Sequence, residues 1–246
     1  MRGHETFPKA PILEATVDFE AGFRIRPRVE VLDRYSDAVK ETFPNRRERH
    51  TFNPSLTVGG NEPLLRNARS QIIELRSEDD KYVMHVKRDG FSFTRLQPYT
   101  HWDDFCNRSL KGWHLYRDIF HPPVLRAISL RYFNGIDLPN PVRMKDYFRT
   151  RITLPSGVPQ NVNNTFFSFS FFSTNKSTGT VSFFLDLSAY NEQRIRVIFL
   201  IAVRQPLDVP SNNDKRIMNA LSSLRHTKNR IFFNSITEKM KEEFRC

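Results

Sequence analysis

Cysteine is almost absent from this sequence, which has only Cys106 and Cys246 among its 246 residues. Two thiols so far apart predict neither a disulfide framework nor a CxxC metal knuckle, so we expect both to be reduced. The chain also lacks a run of about eighteen apolar residues, and its first residues lack the apolar segment of a secretory signal. These absences predict a cytoplasmic protein that does not enter a membrane.

Motifs that mark catalytic, phosphate-binding or metal sites are missing as well. There is no GxSxG elbow, no GxxxxGK[ST] loop and no GxGxxG turn after a predicted strand. The seven histidines show no HxH or HExxH spacing, so no pair is placed to bind zinc from one helix or strand. The sequence therefore predicts no catalytic residue, no metal and no cofactor. An enzyme whose site is assembled from distant residues remains an open alternative.

The composition is that of a basic, folded protein. Lys and Arg number 38 against 27 Asp and Glu, which gives a net charge of +11 and an isoelectric point near 9.9. Such a charge favours a phosphate-bearing or acidic partner through long-range attraction. The 22 phenylalanines and the 39% hydrophobic content exclude a disordered chain and predict a packed core.

Hydrophobic patterns predict the order of helices and strands in the first half of the chain. Residues 13–20 alternate apolar and polar side chains, which predicts a strand with one wet face. Residues 28–43 space their apolar side chains by three and four, which predicts a helix that stops before Pro44. Three strands between 70 and 97 and a helix from about Thr100 to Phe120 complete a β-α-β-β-β-α order.

The same order begins again after Pro122-Pro123. Alternation and turn signals predict, in sequence, a strand near 125–136, a helical turn near 144–149, strands near 165–173, 179–188 and 194–204, and a helix after Asn213 that is capped again at Thr237.

Two successive units with one element order predict an α+β fold that arose by duplication. We assign the units to residues 1–121 and 122–246, and we expect one integrated domain of antiparallel strands with helices packed on one face. The alternative is two unrelated α+β domains that meet near Pro122-Pro123. Strand pairing between the halves distinguishes the two.

The strands of the second half have two different faces. One parity is strongly apolar and is expected to point inward. The opposite parity mixes hydroxyls, large apolar groups and arginines, among them Arg131, Phe133, Phe184, Arg194 and Arg196. Such a mixture suits a partner surface, because apolar area supplies affinity while arginine supplies orientation. A helix, the other half or a second copy in a homodimer covering this face is the plainer alternative.

The densest basic run consists of Arg46, Arg47 and Arg49, which follow the first predicted helix in an apparent loop. Guanidinium groups in a loop can bind phosphate, although a solvated surface explains the same residues. Phenylalanines beside arginines can also stack on bases. However, the outward parity of the first half carries Asp18 and Glu74, whose charge repels phosphate. The sequence therefore favours a protein partner over DNA or RNA.

Three stretches carry a family resemblance: FPKAPILEATVDF near the start, RLQPYTHWDDFCNRSLKGWHLYRDIFHPPVLRAISLRYFNGIDLP in the centre and NRIFFNSITEKMKEEF near the end. They resemble a bacterial family of about 250 residues with a sporadic distribution and no established activity. Its members share a PxAPIxEA start, a W-x2-F…W-x2-Y helix, an LRYxN strand and an FxxxIT ending. The resemblance implies an accessory gene of a mobile element, such as a phage-defence or toxin-antitoxin locus, and it supplies no catalytic residue.

Within the LRYFN stretch, Arg131 and Asn134 are the polar residues that we select first for partner binding, although a buried, hydrogen-bonded pair is the alternative. Our leading hypothesis is a non-enzymatic interaction protein. Direct binding of DNA or RNA is the second hypothesis, and an enzyme with a site not visible in the sequence is the third.

Overall fold

The structure, a computed structural model, describes residues 7–57, 64–140, 142–150, 157, 164–172, 177–186 and 193–245. The strands are β1 (Ile12–Gly22), β2 (Asn45–Thr57), β3 (Leu64–Arg76), β4 (Tyr82–Lys87), β5 (Gly90–Leu96), β6 (Val124–Pro139), β7 (Asn164–Phe172), β8 (Thr178–Asp186) and β9 (Arg194–Pro210). The helices are α1 (Val31–Val39), α2 (Trp102–Phe120), α3 (Met144–Tyr147), α4 (Asp214–Ser235) and α5 (Glu238–Arg245).

All nine of these strands form a single antiparallel sheet in the order β2-β3-β4-β5-β1-β6-β9-β8-β7. The first strands of the two halves, β1 and β6, pair with each other near the middle of the sheet. The remaining strands of each half follow outward in reverse chain order. The expected mixed α and β fold with an antiparallel sheet is therefore confirmed.

The first half contains one strand more than the sequence predicts. Residues 45–57 form β2, which pairs with β3 along its length, so the basic run lies in a strand rather than in a loop. Because β2 is the outermost strand on its side, residues 46–49 are exposed. An edge strand does not need a regular apolar face, and this is why alternation failed to reveal it. The order of the first half is thus β-α-β-β-β-β-α.

The last two helices, α4 and α5, begin where the sequence predicts them. The side chain of Asn213 accepts a hydrogen bond from the backbone N–H of Arg216 at 3.2 Å and caps α4. Thr237 Oγ1 accepts from the backbone N–H of Met240 at 3.3 Å and caps α5. A capping hydroxyl or amide satisfies one of the four free N–H groups at a helix start, so these residues fix where the helices begin.

One hydrophobic cluster contains buried residues of both halves. In the first half, Trp113 of α2 stacks on Phe19 of β1 at a centroid distance of 5.0 Å. In the second half, Phe199 of β9 stacks on Phe183 of β8 at 4.6 Å and on Phe232 of α4 at 6.0 Å. Because rings from both halves belong to one cluster, the sheet and these helices bury their apolar surface together.

The strand residues of this cluster come from one side of the sheet. In β6 a register shift next to Leu125 interrupts the strict alternation of side chains. Side chains alternate along a strand, so the other side presents the intervening residues. We call that side the open face. Among the described helices, none is both long and apolar enough to cross a membrane.

The fit between α2 and β5 leaves no room for a β-carbon at Gly112. A Cβ at this position would lie 2.4 Å from the ring of Phe91. In an exposed helix, Gly→Ala gains about 1 kcal/mol. We predict instead that Gly112→Ala destabilises the protein by about 1–3 kcal/mol, because the ring must shift within a packed core. Urea unfolding should show the loss, while Lys111→Ala on the exposed side of α2 should have little effect. Unchanged or increased stability of Gly112→Ala would contradict this packing.

Lys228 of α4 is a largely buried cation whose Nζ lies 4.0 Å from the ring centroid of Tyr132. Burial, together with the charge of Arg225, lowers the pKa of Lys228 from 10.5 to about 7. A base with a lowered folded-state pKa makes stability rise with pH between the two values, here from about 7 to 10.5. We predict that Lys228→Met raises stability at pH 7 by on the order of 1–2 kcal/mol and flattens this rise. Urea unfolding at pH 7 and pH 9.5 measures both effects, with Lys215→Met as the exposed control. An unaltered pH dependence would show that Lys228 is not the cause.

Candidate interaction surface

On the first half of the open face, acidic and basic side chains pair across the strands. Glu74 of β3 is the centre of the largest group, and its side chain is 1% exposed. Its carboxylate accepts from Arg76 Nε at 2.8 Å and lies 2.6 Å from Arg49 Nε and 3.3 Å from His85 Nε2. Burial alone would raise the pKa of Glu74, but the hydrogen bond from Arg76 and the surrounding positive charges lower it overall. The group is therefore held by internal pairing.

Pairing continues towards the middle of the sheet. Lys87 Nζ lies 3.7 Å from Asp18 Oδ1 and donates to Ser92 Oγ at 3.2 Å. The hydroxyls of Thr16 and Thr94 lie 2.8 Å apart. These contacts neutralise charges and satisfy polar groups within the protein, so this half of the open face has little unused binding capacity.

The centre of the open face contains a shallow depression of about 310 Å³. Its charged lining residues are Asp18, Arg131 and Arg204, and its hydroxyl-bearing lining residues are Ser129, Thr178 and Thr180. Arg204 Nη2 donates to Glu20 Oε2 at 2.6 Å and is thereby paired.

Arg131 differs from its neighbours on this face. Its Nε is buried and has no hydrogen-bond partner in the part of the chain that the structure describes, where its one contact is a distance of 5.8 Å from the guanidinium carbon to the ring of Phe133. The residues beside it on the adjacent strands are Thr16 and Ala202, neither of which is acidic. A partly buried guanidinium with an unused donor favours an anionic ligand, because a carboxylate can accept two of its N–H groups at once.

The outer strands of the second half expose large apolar side chains on the same face. Phe166, Phe172 and Phe184 are 70%, 88% and 41% exposed. Between the rings lies a row of hydroxyls in which Ser168 and Ser182 are 2.9 Å apart and Ser170 and Thr180 are 3.1 Å apart. The surface therefore combines apolar area with hydroxyls whose geometry is already fixed by cross-strand pairing.

Most of the other residues selected from the second-half sequence have partners inside the protein. Arg196 forms a two-pronged pair with Asp137, with Nε–Oδ1 and Nη2–Oδ2 distances of 2.7 and 2.9 Å. Arg194 donates to the backbone oxygen of Asp137 at 3.0 Å. Asn134 lies on the helix-covered side, is 2% exposed and donates to the backbone oxygen of Phe199 at 2.9 Å. Asn134 is thus separated from Arg131 by the sheet itself.

The basic run lies on edge strand β2, which is separated from β6 and its Arg131 by four strands of the sheet. Arg46 pairs with Asp33 at 2.6 Å and with Glu48 at 2.9 Å. Arg49 pairs with Glu74, as described above, and Arg47 is exposed. The structure therefore does not bring the basic run together with the arginines of the second half, and carboxylates neutralise two of its three guanidinium groups.

A second polar cluster lies on the helix side, near Lys228. The hydroxyls of Tyr99 and Tyr132 are 3.0 Å apart, and Cys106 is 4% exposed. Burial raises the pKa of the Cys106 thiol to about 11, so the thiol stays protonated and is a poor nucleophile. Within the described ranges, no group of three or more His, Cys, Asp or Glu residues is placed to hold a metal ion. Cys246 lies outside those ranges.

Comparison with known proteins finds no relative for this arrangement. No family model matches the chain, no curated protein matches it and no solved structure matches it. The residues of the chain itself must therefore carry any functional inference.

Replacing Glu74 tests whether Arg49 and its neighbours are held by this carboxylate. We predict that Glu74→Gln lowers the free energy of unfolding at pH 7 by about 2–3 kcal/mol, since it leaves the surrounding cations without their counter-charge. A carboxylate whose pKa is lower in the folded state stabilises the protein at pH values above its ordinary pKa, here 4.5. This stabilisation is lost as the pH falls below that value. Chemical denaturation between pH 3 and pH 7 should show a shallower pH dependence in Glu74→Gln. The exposed Glu78→Gln serves as the control, and equal behaviour of the two variants would contradict the structural role.

Proposed function

We propose that this chain is a non-enzymatic interaction protein that binds another protein through the open face of its sheet. The observation that carries the proposal is Arg131 in the central depression, whose Nε has no hydrogen-bond partner among the described residues and which lies on the same face as the exposed Phe166, Phe172 and Phe184. A matching partner presents a carboxylate to Arg131 and apolar side chains to the rings of Phe166 and Phe184. Arginine and aromatic residues are the types that dominate protein interfaces.

A nucleic acid fits this face less well than a protein. Binding a phosphate backbone requires several unneutralised cations along one track. Here Arg196, Arg204 and Arg49 each pair with a carboxylate of the protein. Part of the excess positive charge lies on the helix side instead, where α4 exposes Lys215 and Arg216.

We further infer that the two halves arose by duplication. Each half places its first strand at the centre of the sheet and its second strand at the edge, and the main helices of both halves contribute to one cluster. The sequence resemblance, rather than the architecture, supports an accessory protein of a mobile element, such as a phage-defence or toxin-antitoxin locus.

The test is a quantitative affinity purification from the host at two salt concentrations, with and without nuclease. We predict that the wild-type chain retains a protein partner after nuclease treatment, and that Arg131→Gln and Phe184→Ser each weaken retention at least tenfold. Truncating a central interface residue costs about 2 kcal/mol or more, which is a factor of about 30 in affinity and exceeds this limit. Arg230→Gln, an exposed arginine of α4, is the matched control and should bind normally.

Direct titration with labelled single-stranded DNA, double-stranded DNA and RNA distinguishes the alternative. Affinity that falls steeply with the logarithm of salt concentration, and that is lost when Arg46, Arg47 and Arg49 are replaced together, would favour nucleic-acid binding over our proposal. A partner retained equally by wild type, Arg131→Gln and Phe184→Ser would place the interaction elsewhere on the protein.

A further inference from the structure

The two edges of the sheet differ in how they are protected. Edge strand β2 carries Arg46, Arg47, Glu48 and Arg49, and it contains a proline at position 54. Charges and proline are the usual features that prevent an edge from pairing with another chain. The opposite edge strand β7 has the sequence NTFFSFSFF, which contains neither a charge nor a proline. In the part of the chain that the structure describes, β7 has no strand on its outer side.

The sequence of β7 is complementary to itself in the antiparallel direction. Residues 166–172 read Phe-Phe-Ser-Phe-Ser-Phe-Phe in both directions, with Phe169 at the centre. A second copy related by a two-fold axis through Phe169 would place Phe166 opposite Phe172, Phe167 opposite Phe171 and Ser168 opposite Ser170. Residues directly opposite in an antiparallel pair share a face and make contact, so each phenylalanine meets a phenylalanine and each serine a serine.

The inner side of β7 already uses this pairing chemistry. β8 places Phe184 opposite Phe166 and Phe183 opposite Phe167. It also places Ser182 opposite Ser168, with their hydroxyls 2.9 Å apart. A second β7 on the outer side would extend the row of rings and the row of hydroxyls by the same contacts. No like charges would meet, because residues 164–172 are uncharged.

The exposed area at this edge suits a stable interface. Phe166, Phe169 and Phe172 are 70%, 40% and 88% exposed. A phenylalanine side chain buries about 150–250 Å², so these three rings offer roughly 400 Å² per copy and about 800 Å² for a pair. Specific interfaces bury about 1,200–2,000 Å² in total. The backbone of β7 and the adjoining side chains need to supply only the remainder.

We propose that this chain forms a two-fold symmetric dimer in which β7 pairs antiparallel with β7 of a second copy, joining the two sheets edge to edge. Such a contact is isologous and closes on itself, so it ends at two copies. The open faces of the two copies then form one continuous surface, and Arg131 stays accessible on each. The dimer does not depend on the proposed partner binding: pairing along β7 covers the rings of Phe166 and Phe172 and leaves Phe184 and Arg131 of the open face to a partner.

Light scattering coupled to size exclusion tests the dimer. We expect wild-type protein to elute with twice the 29.0 kDa mass of one chain, and Phe169→Lys to dissociate at least tenfold more readily, since two ammonium groups would meet at the axis. Met218→Lys, at an exposed position on α4, is the matched control and should stay dimeric. Thermal unfolding shows whether Phe169→Lys is folded, and Ser168→Lys replaces it if it is not. A wild-type monomer at 100 µM, or a dimer unaffected by both β7 variants, would overturn the proposal.

Cysteine cross-linking tests the register. All variants carry Cys246→Ser, so that the buried Cys106 is the one native thiol that remains. Phe169→Cys should be joined between copies by a short bifunctional thiol reagent, because its β-carbon faces its own counterpart at about 4.5–5.5 Å, slightly beyond the reach of a direct disulfide. Phe167→Cys and Phe171→Cys should each cross-link poorly alone and efficiently when mixed. The control Met218→Cys should not cross-link. Equal cross-linking by all four variants, or none by Phe169→Cys, would exclude this pairing.

Discussion

The pairing of β1 with β6 is the interaction on which the rest of the structure depends. These strands begin the two halves of the chain, and their ladder runs from Ile12 beside Asn134 to Gly22 beside Val124. β1 also pairs with β5, and β6 also pairs with β9. Each half is thus attached to the sheet through its first strand. Because long-range strand pairs close large loops, this contact has a high entropic cost that only the shared core beneath it can offset.

Because the shared core lies on one side of the sheet, its two faces are stabilised by different interactions. On the helix side, rings stack from Trp113 through Phe19, and from Phe232 through Phe199 to Phe183. On the open face, where none of the described helices packs, side chains pair between the strands instead. The Glu74 group in the first half and the Arg196–Asp137 pair in the second are examples. Polar pairs stabilise this face where none of the described helices covers it, and the surface that they leave unpaired is the one that we propose for a partner.

Much of the fold could be predicted from the sequence because its central strands are strongly patterned. In β9, which lies beside β6 near the middle of the sheet, one parity is apolar from Ile195 to Val203, and β8 shows the same at Val181 and Phe183, so parity predicted their buried side. β2 could not be predicted, since a strand at the sheet edge needs no buried face and its charged residues resemble a loop. The self-complementary order of residues 166–172 is visible in the sequence, but it acquires meaning only once β7 is known to be an edge.

The candidate site was harder to predict than the fold, because the capacity of an arginine to bind a ligand depends on the residues that lie beside it. In the sequence, Arg131 and Arg196 are equivalent outward residues of neighbouring strands. Register separates them: Arg196 lies opposite Asp137, whereas Arg131 lies between Thr16 and Ala202. One guanidinium is therefore neutralised, whereas the other has no carboxylate directly beside it, and this is why we propose Arg131 for ligand binding. The same reasoning limits what a net charge of +11 implies, because cations already paired with carboxylates of the protein contribute little attraction to an external phosphate.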